Sequence, residues 1–140
     1  MFTKRRWPVG PLALVFLTLV TCSAWGQARP TAIELAQLPK FCFAQAQVPN
    51  ATGPEFNIPA SCGPGMNHYC SGLTHLIRAK ASGGKGKVQA ELGLAENDIR
   101  YTEEWIKNLP GCPLHDHVAA SRAEVNGLRA IYGGKSAGQK

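Results

Sequence analysis

Val88, Leu92, Ala95, Ile99, Thr102 and Ile106 recur at alternating steps of four and three. That spacing lays six side chains along one face of an α-helix, and it is the clearest periodicity in the chain. Glu96 and Arg100, like Glu103 and Lys107, stand four apart with the acid first, the order expected of ion pairs on a solvated face. A second helical stripe runs through Tyr69, Cys70, Leu73, Leu76, Ile77 and Lys80, with Asn67 placed to cap it and residues 82–86 (SGGKG) to break it. A third joins Val118, Arg122, Val125, Leu128, Ile131 and Tyr132, capped by Asp116 and stopped by Gly133 and Gly134. Upstream, residues 30–38 (PTAIELAQL) predict a short helix ending at Pro39, and KFCFAQAQ continues it as a turn or a second short helix. Residues 48–65 carry Pro49, Gly53, Pro54, Pro59, Gly63, Pro64 and Gly65, so they read as a loop long enough to need tying down. No segment sustains period-two alternation. The expected fold class is therefore all-α, a small domain of three main helices whose short connections imply antiparallel neighbours.

The N-terminus adds a compartment to this picture. Lys4, Arg5 and Arg6 precede an apolar run at residues 9–20, and small residues follow in CSAWGQA. This is the pattern of a secretory signal peptide, expected over residues 1–28 with cleavage after Gly26 or Ala28. The run falls short of the roughly 20 residues that a membrane span requires. An alternative fate rests on residues 19–22 (LVTC), similar to a bacterial lipobox except at Thr21; lipidation of Cys22 would tether the protein to a membrane surface. The expected organisation is a signal peptide at 1–28, a short helix and Pro/Gly-rich loop at 29–65, a helical domain at 66–134 and a flexible tail at 135–140. The expected location is periplasmic or secreted, with a membrane-anchored lipoprotein as the alternative.

Removing the first 28 residues leaves twelve basic and nine acidic side chains, a net charge of +3 rather than +6. That is too mild to point to nucleic acid as a partner. The one basic cluster, residues 78–87 (RAKASGGKGK), is rich in glycine and small residues and reads as a solvated linker. Four cysteines remain in about 112 residues: Cys42, Cys62, Cys70 and Cys112. An even count in a small exported chain reads as a disulfide framework with three possible connectivities. Each bridge would stabilise a domain of this size by about 3–4 kcal/mol in the chain-entropy description.

Residues 62–70 (CGPGMNHYC) concentrate the candidate chemistry. Met66, His68 and Cys70, with Cys62 and His75 nearby and an H-x-H pair at His115 and His117, include soft ligands suited to copper or zinc. A periplasmic metal-binding or redox module is the alternative function they suggest, although no CxxC, CxxCH or HxxxH spacing occurs. A Cys–His nucleophile is disfavoured because His68 lies two residues from Cys70 on a helical turn, which sends the side chains apart. No phosphate loop, metalloprotease motif or serine elbow is present, so no enzyme activity and no cofactor are expected. In the simpler arrangement the cysteines are staples: Cys70 tied to Cys42, Cys62 tied to Cys112, and the histidines serving as capping or surface groups. Asn50-Ala51-Thr52 matches the acceptor pattern for N-glycosylation.

The segments LPKFC and GPGMNHYCSGLTHLIRA resemble a group of small exported bacterial proteins with a P-x-[WF]-C … NHxCxGL … RA core that runs into tetratricopeptide-type helix pairs. The residues carrying the resemblance are Pro39, Phe41, Cys42, Gly65, Asn67, His68, Cys70, Gly72, Leu73, Arg78 and Ala79. Ala90, Ala95, Asp98, Tyr101 and Pro110 are spaced as in the second helix of such a repeat, and AEVNGLRAIYGG resembles the first helix of the next. The likeness covers residues 38–133 and departs at Ser71, where relatives carry an aromatic. It implies a tetratricopeptide-like fold, supports pairing Cys42 with Cys70, and implies no catalytic residues. A solenoid needs about three repeats to bury its core, so the N-terminal segment and the bridges, or a partner, would act as the cap. The expected function is an exported cell-envelope scaffold or interaction module that binds another envelope protein or a peptide. Phe41, Phe43, Phe56, Trp105 and Tyr132 are the apolar and aromatic residues left to form its surface.

Overall fold

The structure, a computed structural model, describes residues 29–133, and within them the secondary structure is entirely helical. The order is α1 (Ala32–Leu35), four 3-10 turns (Lys40–Cys42, Pro54–Phe56, Ala60–Cys62 and Pro64–His68), then α2 (Tyr69–Ala81), α3 (Lys85–Ile106) and α4 (His115–Tyr132). The predicted all-α class and the three main helices are as expected. α3 is the centre of the assembly and packs against both α2 and α4, which meet each other only sparsely. Its six-residue stripe is wholly buried, joined by Met66, Tyr69, Leu76 and Ala79 from one side and by Val118 and Val125 from the other. At the α2–α3 crossing the helices come close at Gly72, where an added Cβ would lie 3.0 Å from both Asp98 Cβ and Ile99 Cγ1.

Two disulfides close the fold, Cys42–Cys70 and Cys62–Cys112, across sequence separations of 28 and 50 residues. All four cysteines are buried. Internal bridges of this kind form and persist in an oxidising, non-cytoplasmic compartment, to which the protein is assigned. The first bridge carries a small satellite core, in which Leu38, Cys42, Cys70 and Ile77 are covered by Leu35, Phe41, Phe43, Ile58 and Leu73. The second ties the Pro/Gly loop to the α3–α4 connection, supplying the anchor that its composition demanded. The possible signal peptide, Cys22 and the C-terminal tail lie outside the described residues.

Several local expectations are corrected. α2 is not capped by Asn67: Pro64 starts a 3-10 run that passes directly into the helix, leaving His68 at the N-cap in helical conformation with no side-chain cap. α4 likewise begins before Asp116, at His115 after Leu114, because Cys112 and Leu114 are drawn into the core. Asp116 instead places its charge in the first turn, where the helix dipole favours an anion. Residues 82–86 do not all break the helix, since α3 starts at Lys85 after Gly84. Ile131, expected on the buried stripe of α4, is 74% exposed near the helix end.

The largest correction concerns Glu96 and Glu103. Glu96 is only 3% exposed, because α4 covers that side of α3. Its carboxylate lies 2.6 Å from Arg129 Nε and 3.3 Å from Arg122 Nη1, and Arg122 Nε lies 3.7 Å from Glu103. Arg100 instead reaches Asn97 and Lys107 meets Glu104, both at the solvated surface. A desolvated carboxylate must be matched by opposite charge, so partners on the facing helix replace the local ones.

Trp105 closes one end of the molecule. Its Nε1 donates to the Cys62 carbonyl at 3.1 Å, and its ring lies against Gly65, where an added Cβ would fall 1.9 Å from Cδ2. Gly65→Ala is expected to swing the indole outward, shift tryptophan emission to the red, and lower stability by about 1–3 kcal/mol. Emission spectra and urea melts read both effects. Replacing either cysteine pair with serine is expected to cost about 3–4 kcal/mol, slightly more for Cys62/Cys112 with its longer loop, measured as the change in unfolding free energy against wild type under non-reducing conditions.

Candidate functional site

The candidate metal ligands are dispersed. Met66 is 1% exposed inside the main core, and the sulfurs of Cys62 and Cys70 are bridged. His68 Nδ1 lies 3.0 Å from Asp98 Oδ1, and His75 Nδ1 lies 2.7 Å from Glu91 Oε2. A carboxylate only accepts, so each Nδ1 donates and the two rings are held along the α2–α3 seam. His115 Nε2 donates to the Leu109 carbonyl at 2.9 Å, while His117 sits edge-on to the Phe41 ring. Among the described residues no group of three or more His, Cys, Asp or Glu side chains is arranged to hold a metal ion. Asn50 is exposed in a turn with φ of +64°, a conformation asparagine tolerates.

What the fold does assemble is a cleft between the Leu38 segment, α2 and α4. It has a volume of about 170 Å³. Leu38, Leu73, Leu76 and Ile77 form its apolar lining; Gln37, Lys80, His117 and Glu124 supply polar groups. Tyr69 and Ser121 meet there across 3.0 Å. Ser121 has one hydroxyl proton and gives it to the His117 carbonyl at 2.9 Å, so the Tyr69 hydroxyl is the donor to Ser121 Oγ. Burial raises the Tyr69 pKa above the ordinary phenol value, keeping it neutral, and the bond to Ser121 opposes this more weakly. Lys80 Nζ and Glu124 Oε1 pair at 2.9 Å, both about half-exposed. Such a pair contributes little to stability and separates readily.

The volume fits one side chain rather than a drug-sized ligand, whose pockets run to roughly 300–1,000 Å³. A wider groove of about 550 Å³ lies where α3 ends and α4 begins, lined by Glu103, Glu104, Lys107, His115 and Asp116. Ile106, Val118 and Ala119 complete its lining beneath these charged groups, and its histidine is already committed to Leu109. The cleft is the better candidate because three separate parts of the chain, the Leu38 segment, α2 and α4, converge on it and place the Tyr69–Ser121 and Lys80–Glu124 pairs at its edge. Phe41, among the surface aromatics expected from sequence, stacks beside it on Tyr69 at 6.2 Å. Phe43, which covers the satellite cluster, stacks on Phe56 at 5.9 Å, and neither ring lines the cleft.

Sequence reasoning missed Tyr69, Ser121, Lys80 and Glu124 as a group. Tyr69 and Ser121 are 52 residues apart, and nothing in spacing pairs them. Each had only a local signal: Tyr69 lay on the predicted α2 stripe, while Ser121 fell beside the predicted α4 stripe, next to Arg122.

One wall of the cleft depends on a salt bridge. α1 has only four residues, too few to stand alone. Thr31 and Glu34 cap it reciprocally, and Arg78 of α2 grips the same carboxylate through Nε at 2.6 Å and Nη2 at 3.1 Å. These contacts, led by the Arg78 hydrogen bond, hold the Glu34 carboxyl at about 2, below its ordinary 4.5. Because the folded pKa is depressed, this stabilisation is full above pH 4.5 and is lost as pH falls from there to about 2. Urea melts across that window should show wild type losing stability more steeply than Glu34→Gln, with the two curves converging at the acid end.

The chain matches no family model, no curated protein and no solved structure in the comparisons made.

Proposed function

We propose that the protein is a binding module of the cell envelope, not an enzyme, and that it takes one apolar side chain of a partner peptide into the cleft between the Leu38 segment, α2 and α4. The observation that carries this reading is the cleft itself: a space sized for a single side chain, with a mixed aliphatic and polar lining, bordered by a half-exposed ion pair able to open toward polar peptide groups. Interfaces concentrate their energy in such anchor pockets, with polar surroundings that set orientation. A partner segment would insert an aliphatic or aromatic side chain against Leu73 and Leu76, while its backbone amides and carbonyls meet Glu124, Lys80 and Gln37. The antiparallel α2–α3 hairpin followed by α4 supports a repeat-like helical scaffold for this role, and the bridges support an exported protein that keeps its shape without a large core. Export by the N-terminal segment, periplasmic or secreted, belongs to the same proposal.

Peptide pools with a single fixed central residue, titrated into isotopically labelled protein, test the reading. A pool centred on leucine, methionine or phenylalanine is expected to shift the amide signals of Leu73, Lys80, His117 and Ser121, and a pool centred on glutamate or lysine is expected to leave them in place. Shifts confined to other surfaces, or equal response to every pool, would sink the proposal.

A further inference from the structure

Two hydroxyls and a carbonyl form a line at the edge of the cleft, and the last of them fixes the order. The His117 main-chain carbonyl can only accept, so the Ser121 hydroxyl spends its one proton there, at 2.9 Å. Ser121 Oγ then accepts on its other side, and the proton in its 3.0 Å contact with Tyr69 Oη belongs to the phenol. Burial keeps that phenol neutral, so the relay runs one way, from Tyr69 through Ser121 to His117. Both protons are committed inside the protein.

What remains on this pair is acceptor capacity. A serine oxygen has two lone pairs, and the Tyr69 proton takes one of them. Tyr69 and Ser121 are also the most concealed polar residues of the lining, 1% and 8% exposed. The donors, Lys80 and His117, stand at the exposed rim, where water and the carbonyls of a bound peptide can serve them. A side chain seated in the cleft therefore meets aliphatic carbon from Leu73, Leu76 and Ile77, and on the buried side an oxygen that lacks a proton. A hydrocarbon tip would cut that oxygen off from water and offer it nothing, which is costly for a buried acceptor.

We infer that the side chain this cleft selects is tyrosine, with its ring against the aliphatic wall and its phenol donating to Ser121 Oγ. The inference rests on the reading of the cleft as an anchor pocket and names the anchor. Tyrosine and tryptophan both join a large apolar body to a hydrogen-bond donor. The phenol carries its donor at the far end of the ring, the end that enters first, and a volume of about 170 Å³ suits the smaller of the two. The partner is accordingly a peptide segment that exposes a tyrosine outside the cytoplasm.

Four peptide pools that differ only at the central residue test it, read through the amide signals of Leu73, Lys80, His117 and Ser121. The central residues are tyrosine, 4-aminophenylalanine, phenylalanine and O-methyltyrosine. The first two present a donor and are expected to bind about two- to tenfold more tightly than the others, the range for one neutral hydrogen bond. Ser121→Ala removes the acceptor and frees the Tyr69 proton, so 4-aminophenylalanine, a donor and scarcely an acceptor, is expected to fall to the level of phenylalanine. Tyr69→Phe leaves Ser121 Oγ in place, and 4-aminophenylalanine is expected to keep its lead. A variant that merely damaged the pocket would weaken all four pools alike, and the wild-type series decides the matter without it. Equal wild-type affinity for tyrosine and phenylalanine, or a 4-aminophenylalanine lead that survives Ser121→Ala, overturns the inference and leaves the anchor reading standing. No shift from any pool, those centred on leucine and methionine included, brings down both.

Discussion

The bridge between Cys42 and Cys70 is the constraint on which the cleft side of the molecule rests. Everything before α2 consists of one four-residue helix, short 3-10 turns and loop, none of which has the length to be stable by itself. Tying Cys42 to the first turn of α2 brings this segment against Leu73 and Ile77 and gives Leu38, Phe41 and Phe43 somewhere to bury. The Glu34–Arg78 fork then fixes the angle of α1, and the wall that carries Gln37 and Leu38 follows from the two ties together. The Cys62–Cys112 bridge does similar work for the rest of the loop, bringing the Cys62 carbonyl under Trp105 and the glycine at 65 against its ring.

The orientation of the helices is decided by a different kind of contact. Hydrophobic burial along α3 is non-directional and would tolerate several placements of α4. A buried carboxylate is less forgiving: Glu96 needs positive charge within ion-pair distance, and the observed placement of α4 presents both Arg122 and Arg129 to it. We read this triad as a device for specificity more than for net stability, since the desolvation of three charges offsets much of their attraction. The close approach at Gly72 acts likewise on the other neighbour, letting α2 lie near enough for His68 and His75 to reach acids on α3.

The segment richest in suggestive chemistry, residues 62–70, is thus structural for the most part. Its cysteines are bridges, its methionine is core, and its histidine is a link in the α2–α3 seam. The surface proposed for recognition lies elsewhere, in a side-chain-sized cleft beside Tyr69. Its α2 and α4 residues individually look like ordinary helix positions. Among the described residues no helix is long and apolar enough to cross a membrane.

Periodicity alone was enough for the all-α class, for the three main helices and for the buried stripe of α3, because burial on one face of a helix is written in steps of three and four. The four cysteines beyond residue 28 read as bridges once Cys22 was set aside with the expected signal peptide, since an even set in a short domain has few other uses. Helix starts were less legible: Asn67 and Asp116 are good caps in isolation, but a proline turn and a buried Leu114 moved both starts. Glu96 with Arg100 had the ideal local spacing for an exposed pair, and only the arrival of α4 over that face turned it into a buried centre served from 26 and 33 residues away. The cleft was invisible for the same reason, since Tyr69 and Ser121 become neighbours only after α2 and α4 dock on α3. Local sequence determines which faces are apolar; the choice of what packs against them, and which polar groups are thereby brought together, belongs to long-range contacts that no short window of the chain contains.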